Sequence, residues 1–216
     1  MRTLKNPPYL QVALDTPDID ETIRVVKALP KSERIIIEAG TPLIKKYGCG
    51  VIAKIRGVRK DSFILADLKT LDVGALEARM AHEAGADAAV VSGLAPPSTI
   101  RGFIEEARRA GMCSSVDMMN VSDPLKTLRE ADAMPDIILL HRGIDAESAS
   151  KHSWDYLRRL KAEVRGKALV GVGGGIDPEL AGESLKNGAD IVIVGRYVTK
   201  SKDVASSAQS ILKLMG

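Results

Sequence analysis

Short apolar runs alternate with longer amphipathic stretches along the whole chain. The runs are LQVALD (Leu10–Asp15), IIIEA (Ile35–Ala39), FILADLK (Phe63–Lys69), AAVVSG (Ala88–Gly93), CSSVDM (Cys113–Met118), IILLH (Ile137–His141), LVGVGG (Leu169–Gly174) and IVIVGR (Ile191–Arg196). Their length and β-branched content predict strands. They are apolar on both faces, as parallel strands covered by helices must be. Between them the apolar spacing is helical. Asp18 is placed to cap a helix running to Leu29, Val73–Ala84 ends at Gly85, and Pro97–Ala110 ends at Gly111. Asp177 and Pro178 open another helix that stops at Gly188, and a last one covers about 203–214.

Strand–helix units repeated in this order predict an α/β fold, a closed (β/α)8 TIM barrel, with an open doubly wound sheet as the competing arrangement. No linker or low-complexity segment interrupts the order, so residues 1–216 are expected to form one domain. The barrel is favoured by where polar groups fall. Asp15, Glu38, Asp67, Lys69, Asp117 and His141 all stand at the C-terminal ends of predicted strands. Ionisable groups are costly there unless they are used, and that rim is where barrel enzymes keep their chemistry.

Composition narrows the function. The net charge is only +3 and aromatic residues make up 3% of the 216 residues, which leaves neither a basic arm nor a stacking platform for nucleic acid. Cys49 and Cys113 form no CxxC pair and are expected to be free thiols. The start, MRTLKNPPYLQ, lacks the apolar run of a signal peptide, and no stretch approaches the ~18 apolar residues of a membrane span. The expectation is a cytoplasmic protein with no membrane or nucleic-acid partner.

Two constellations carry candidate chemistry. In DLKTLD, Asp67 and Lys69 are two apart on a strand and share a face, while Asp72 lies beyond the strand end. Glu38 closes the strand before it, after three isoleucines, and so apolar a setting requires a partner. That partner is either Lys69, in an ion pair, or a Mg²⁺ (or Mn²⁺) ion shared with Asp67, since Mg²⁺ favours one or two carboxylates with water and substrate oxygens. The second constellation is the pair of glycine-bearing strand ends, Gly174-Gly175 and Gly195-Arg196. Exposed backbone N–H groups and a guanidinium at the last two strands form a phosphate seat in many barrels. His141, at the end of the sixth run, is a candidate for proton transfer. His82 and His152 receive no role, and Trp154 and Tyr156 read as helix packing residues.

These motifs resemble the orotidine 5′-phosphate decarboxylase suprafamily over nearly the whole chain: ALD, EAGTPLI, DLKTLD, HRGID, VGGGI and VGR follow in order. Within it, Glu38 in place of the lysine of the orotidine 5′-phosphate decarboxylases is similar to the Mg²⁺-dependent branch. Asp117 and Ile144, where 3-keto-L-gulonate-6-phosphate decarboxylases carry Glu and Arg, resemble the 3-hexulose-6-phosphate synthases. Arg142, the pair Ala146-Glu147 and the stretch from Gly48 to Lys60 depart from the commonest synthase pattern.

The resemblance implies a Mg²⁺-dependent lyase that joins formaldehyde to D-ribulose 5-phosphate through an enediolate, giving D-arabino-hex-3-ulose 6-phosphate. It implies metal ligation by Glu38 and Asp67, catalytic work by Lys69, His141, Asp117 and Asp15, and phosphate binding by Gly174, Gly175, Gly195 and Arg196. It also implies a homodimer in which Asp72 reaches the partner's site. The alternatives are a 3-keto-L-gulonate-6-phosphate decarboxylase, an orotidine 5′-phosphate decarboxylase, or a barrel that binds phosphosugars without turnover.

Overall fold

In the computed structural model, which describes residues 4–146 and 152–216, eight parallel strands close a barrel in sequence order. They are β1 (Tyr9–Leu14), β2 (Ile35–Ala39), β3 (Phe63–Thr70), β4 (Ala88–Ser92), β5 (Cys113–Asp117), β6 (Ile137–His141), β7 (Leu169–Gly173) and β8 (Ile191–Val194). The last strand returns to the first, pairing Ile191 with Tyr9 and Val194 with Val12, so the open-sheet alternative is excluded and, among the described residues, no sheet edge is left unpaired.

Strand alternation divides the core in two. Tyr9, Ile36, Phe63, Leu65, Ala88, Val90, Ile137, Leu139 and Ile191 pack inside the barrel. Their neighbours Leu10, Val12, Ile35, Ile37, Ile64, Val91 and Val192 face outward into the much larger cluster beneath the helices. Phe103 is fully buried in that outer cluster, and truncating so large a core side chain to alanine costs about 3–5 kcal/mol.

The helices are α1 (Ile19–Ala28), α2 (Thr41–Tyr47), α3 (Gly50–Val58), α4 (Gly74–Glu83), α5 (Pro97–Ala110), α6 (Pro124–Ala131), α7 (Trp154–Val164), α8 (Pro178–Lys186), the short α9 (Arg196–Thr199) and α10 (Val204–Leu212). Asp18 and Asp177 cap α1 and α8 as expected, accepting from the backbone N–H of Glu21 and Leu180. The sequence pattern singles out neither α2, α3 nor α6. Gly48, Gly50 and Gly57 interrupt the apolar spacing of the first two, and α6 is a short helix held by its Asp123 cap. Among the described residues, no helix is long and apolar enough to cross a membrane.

Candidate active site

The inward face of β1 reads Tyr9, Gln11, Ala13, then Asp15 just past its end. Ala13 is in register with Glu38 of β2, and Glu38 with Leu65 of β3, two residues before Asp67. Register and alternation therefore bring Asp15, Glu38 and Asp67 to the same side of the barrel mouth. Gly40 makes this possible, because a Cβ there would come within 2.2 Å of Asp15 Oδ1.

The three carboxylates feel one another. Glu38 is 5% exposed, and burial, then the charges of Asp67 and Asp15, push its carboxyl well above the usual range. The Asp15 carboxyl is likewise raised, by burial and by Asp67, with Lys69 and His141 opposing. Lys69 does not pair with Glu38, which removes the simple ion-pair reading of that residue. Its Nζ lies 2.7 Å from Asp67 Oδ2 and 2.8 Å from Asp117 Oδ2, and the two carboxylates outweigh the effect of burial and raise the ammonium pKa.

Lys69 reaches both by an unexpected route. The register of β3 against β4 shifts between Ala66 and Thr70, and Lys69 takes a left-handed backbone with φ of 47°. A non-glycine residue held in that region marks a position over-determined by its surroundings. Thr41, the first residue of α2, supports the other side, its hydroxyl lying 2.7 Å from Asp67 Oδ2 and 2.8 Å from the Asp67 carbonyl oxygen, either of which can accept its one proton. Thr41 lies in the AGTP turn, where the sequence carries no sign of its contact with Asp67.

Opposite stands His141, whose Nδ1 meets Asp117 Oδ2 at 2.8 Å. Burial would raise the Asp117 carboxyl, but the hydrogen bond and charge of His141, together with Lys69, hold it down to about 2. An ionised carboxylate accepts, so a neutral His141 carries its proton on Nδ1 and leaves the Nε2 lone pair available. A cavity of about 340 Å³ opens beside His141, with Asn120, Ser122, Arg142, His152 and Tyr156 on its walls.

The glycine turn after β7 lies next to this cavity. Gly174 has φ of +104°, and a Cβ there would come within 2.0 Å of the Arg142 carbonyl oxygen, so no other residue fits. Arg142 Nη2 and the Nε2–H of His152 both donate to the Gly174 carbonyl, at 3.0 and 2.8 Å. His152, which the sequence left without a role, thus ties the segment after β6 to the glycine turn, its ring stacked on Trp154 with centroids 5.4 Å apart. Gly175 follows in the same turn with positive φ, while Gly195 precedes the first residue of α9, Arg196. Asp72 stands apart from the cluster. It is exposed, and its Oδ1 accepts from the Val73 N–H at the start of α4. Glu147, one of the departures from the synthase pattern, lies outside the described residues.

The donor set suits a divalent cation. Mutually repelling carboxylates crowd the mouth while Lys69 is divided between two of its acidic neighbours. Among the described residues, no group of three or more His, Cys, Asp or Glu side chains forms a ready coordination shell. The two carboxylates of Glu38 and Asp67, with water and substrate oxygens, match the needs of Mg²⁺ rather than of a metal requiring an all-protein cage.

The chain is similar to several known proteins. The bifunctional enzyme Fae/Hps of Methanocella arvoryzae is 52% identical over 214 residues, covering 98% of this chain and 54% of the relative. The chain thus spans about half the length of the curated relatives it matches. The structure of 3-hexulose-6-phosphate synthase from Salmonella typhimurium is 32% identical with a TM-score of 0.87, covering 95% of this chain and 97% of that one. The 3-keto-L-gulonate-6-phosphate decarboxylase from Vibrio cholerae is 26% identical with a TM-score of 0.83, covering 97% of each. A family profile matches residues 8–211, and the chain belongs to the orotidine 5′-phosphate decarboxylase / HUMPS family.

Proposed function

We propose that this chain catalyses the reversible aldol addition of formaldehyde to D-ribulose 5-phosphate, forming D-arabino-hex-3-ulose 6-phosphate with a divalent cation, Mg²⁺ or Mn²⁺. The observation that carries the reading is Glu38. It is a buried carboxylate beside Asp67 and Asp15 and is tied to a neutral amide rather than to a cation. Glu38 and Asp67 would hold the ion, which when bound supplies Lewis-acid stabilisation of negative charge on neighbouring substrate oxygens.

The protein's groups then divide the work. His141 Nε2 takes a proton from C1 of the ketose, and Asp117 holds the imidazole in the tautomer this requires. Lys69 faces the negative charge that develops on the enediolate oxygens. C1 attacks the formaldehyde carbon, a carbon–carbon bond forms, and the new alkoxide oxygen takes up a proton. Asp15 holds a substrate hydroxyl. Gly174, Gly175, Gly195 and Arg196 receive the phosphate and anchor the reacting end through remote binding energy.

The working unit is a homodimer with shared sites. Leu71, Val73 and Leu76 are each more than half exposed around Asp72, with Met80 further along α4. An apolar surface of this kind at a catalytic rim fits a two-fold contact that carries Asp72 into the partner's site.

The direct test is incubation of D-ribulose 5-phosphate with formaldehyde, with and without Mg²⁺, followed by NMR of the product. Mg²⁺-dependent formation of the hexulose phosphate is expected. No product from this pair, with carbon dioxide released from 3-keto-L-gulonate 6-phosphate instead, would replace this reading with the decarboxylase.

A further inference from the structure

Inside the barrel, one level below the carboxylates of the mouth, the chain places an amide where packing alone calls for a hydrocarbon. Gln11 is fully buried in β1, in register with Ile36 of β2 and Ile193 of β8. The interior around it is built from Leu, Ile, Val and aromatic side chains. Burying an amide in such surroundings is costly unless its polar atoms find partners. Only half of this one is satisfied among the described residues: Nε2 donates to Glu38 Oε2 at 2.8 Å, and Oε1 has no partner. Gln11 is therefore buried at a cost, and the contact it makes is with Glu38.

The contact is also well aimed. Lys69 is engaged by Asp67 and Asp117, so the amide is the hydrogen-bond donor that meets the Glu38 carboxylate. A donor on Oε2 restrains the rotation of the carboxylate. A hydrogen bond to an ionised acceptor is roughly twice as strong as one between neutral groups. Partners of this kind behind a metal-binding carboxylate orient it and tune its hold on the ion.

We propose that Gln11 is a positioning residue for the metal site, its amide setting the Glu38 carboxylate in the orientation from which Glu38 and Asp67 hold the divalent cation. This rests on the metal-dependent reading above. Ser115 of β5 provides an internal comparison. Its hydroxyl is equally buried and has no partner among the described residues, but it makes no hydrogen bond to Glu38.

The experiment is a titration of the substrate-free protein with Mn²⁺, followed by electron paramagnetic resonance of the free ion, for the native protein and for Gln11→Met, Gln11→Asn and Ser115→Ala. Gln11→Met keeps the volume and removes the donor. Gln11→Asn keeps an amide but withdraws it by one methylene, and it carries the test if the methionine variant does not fold. Near-UV circular dichroism reports folding. The Gln11 variants are expected to bind Mn²⁺ about 10–100-fold more weakly with a native spectrum, and Ser115→Ala to stay within about twofold of native. Native affinity in a folded Gln11 variant overturns the proposal alone, as does an equal loss in Ser115→Ala, which would mark a general core effect. A native protein that binds no Mn²⁺ overturns both this proposal and the metal reading beneath it.

Discussion

Lys69 Nζ lies 2.8 Å from Asp117 Oδ2, the same oxygen that faces His141 Nδ1 at 2.8 Å. One carboxylate therefore orders both the cation and the imidazole of the site. Asp117→Asn would let the amide donate and would favour the wrong tautomer of His141. A fall in kcat of about 10²–10⁴-fold with KM changed far less is expected from steady-state kinetics. The same residue has a signature in acid. Its folded carboxyl is held down to about 2, so its stabilising contribution is present above the ordinary carboxylate range and is lost as pH falls towards about 2. Acid unfolding of Asp117→Asn should lack that part of the pH dependence.

Glu38 behaves in the opposite sense. Its carboxyl is raised by burial and by Asp67 and Asp15, so folding without metal favours the protonated form more than the unfolded chain does. The stability it contributes is complete below the carboxylate pKa of the unfolded chain and declines as pH rises towards the folded value. Metal-free Glu38→Gln should therefore melt higher than the metal-free native protein at pH 7, by about 2–4 °C for each kcal/mol relieved, with the gap closing below about pH 4. The same variant should bind Mg²⁺ weakly and lose nearly all activity. Thermal melts at the two pH values, with chelator present, check the sign.

Much of this site is legible from sequence because strand ends announce themselves. Glu38 after three isoleucines and His141 after IILL break apolar runs at the rim, and the structure gathers them with Asp15, Asp67, Asp117 and Lys69. What stayed hidden depends on three-dimensional contacts or on backbone geometry. The left-handed kink at Lys69 has no glycine to betray it, since the neighbours are Leu68 and Thr70. Helix α2 is a short segment between Gly40 and Gly48 and α3 contains Gly50 and Gly57, and their stability comes from Leu43, Ile52 and Ile55 packing on the barrel rather than from propensity. Gln11 carried a usable signal, a long polar side chain in phase with Ala13 and Asp15 on an inward face, but its meaning required Glu38 as its neighbour.

Arg196 is exposed at the start of α9, beside Gly195. If it receives phosphate, Arg196→Ala should raise KM for D-ribulose 5-phosphate about 10–100-fold, the worth of a hydrogen bond to a charged group, with kcat little changed. An unchanged KM would remove the phosphate assignment.

The proposed shared sites make a prediction about mixtures. Glu38→Gln and Asp72→Asn homodimers should each be nearly inactive. After subunit exchange, the heterodimer regains one site with both residues intact, and an equal mixture should recover about a quarter of native activity. Leu76→Asp, placed in the exposed apolar surface, should yield monomers in analytical ultracentrifugation. A monomeric native protein, or mixtures that stay inactive despite exchange, would contradict the shared-site arrangement.

In the proposed reaction Glu38 and Asp67 would hold a cation beside which His141 removes the C1 proton of the ketose. Proton NMR of D-ribulose 5-phosphate in D₂O, without formaldehyde, observes that step directly. Exchange of one C1 hydrogen that requires Mg²⁺, stops with chelator and is absent in Glu38→Gln is expected of this arrangement. Exchange that continues undiminished with chelator, or no exchange in the Mg²⁺-loaded native protein, would contradict it.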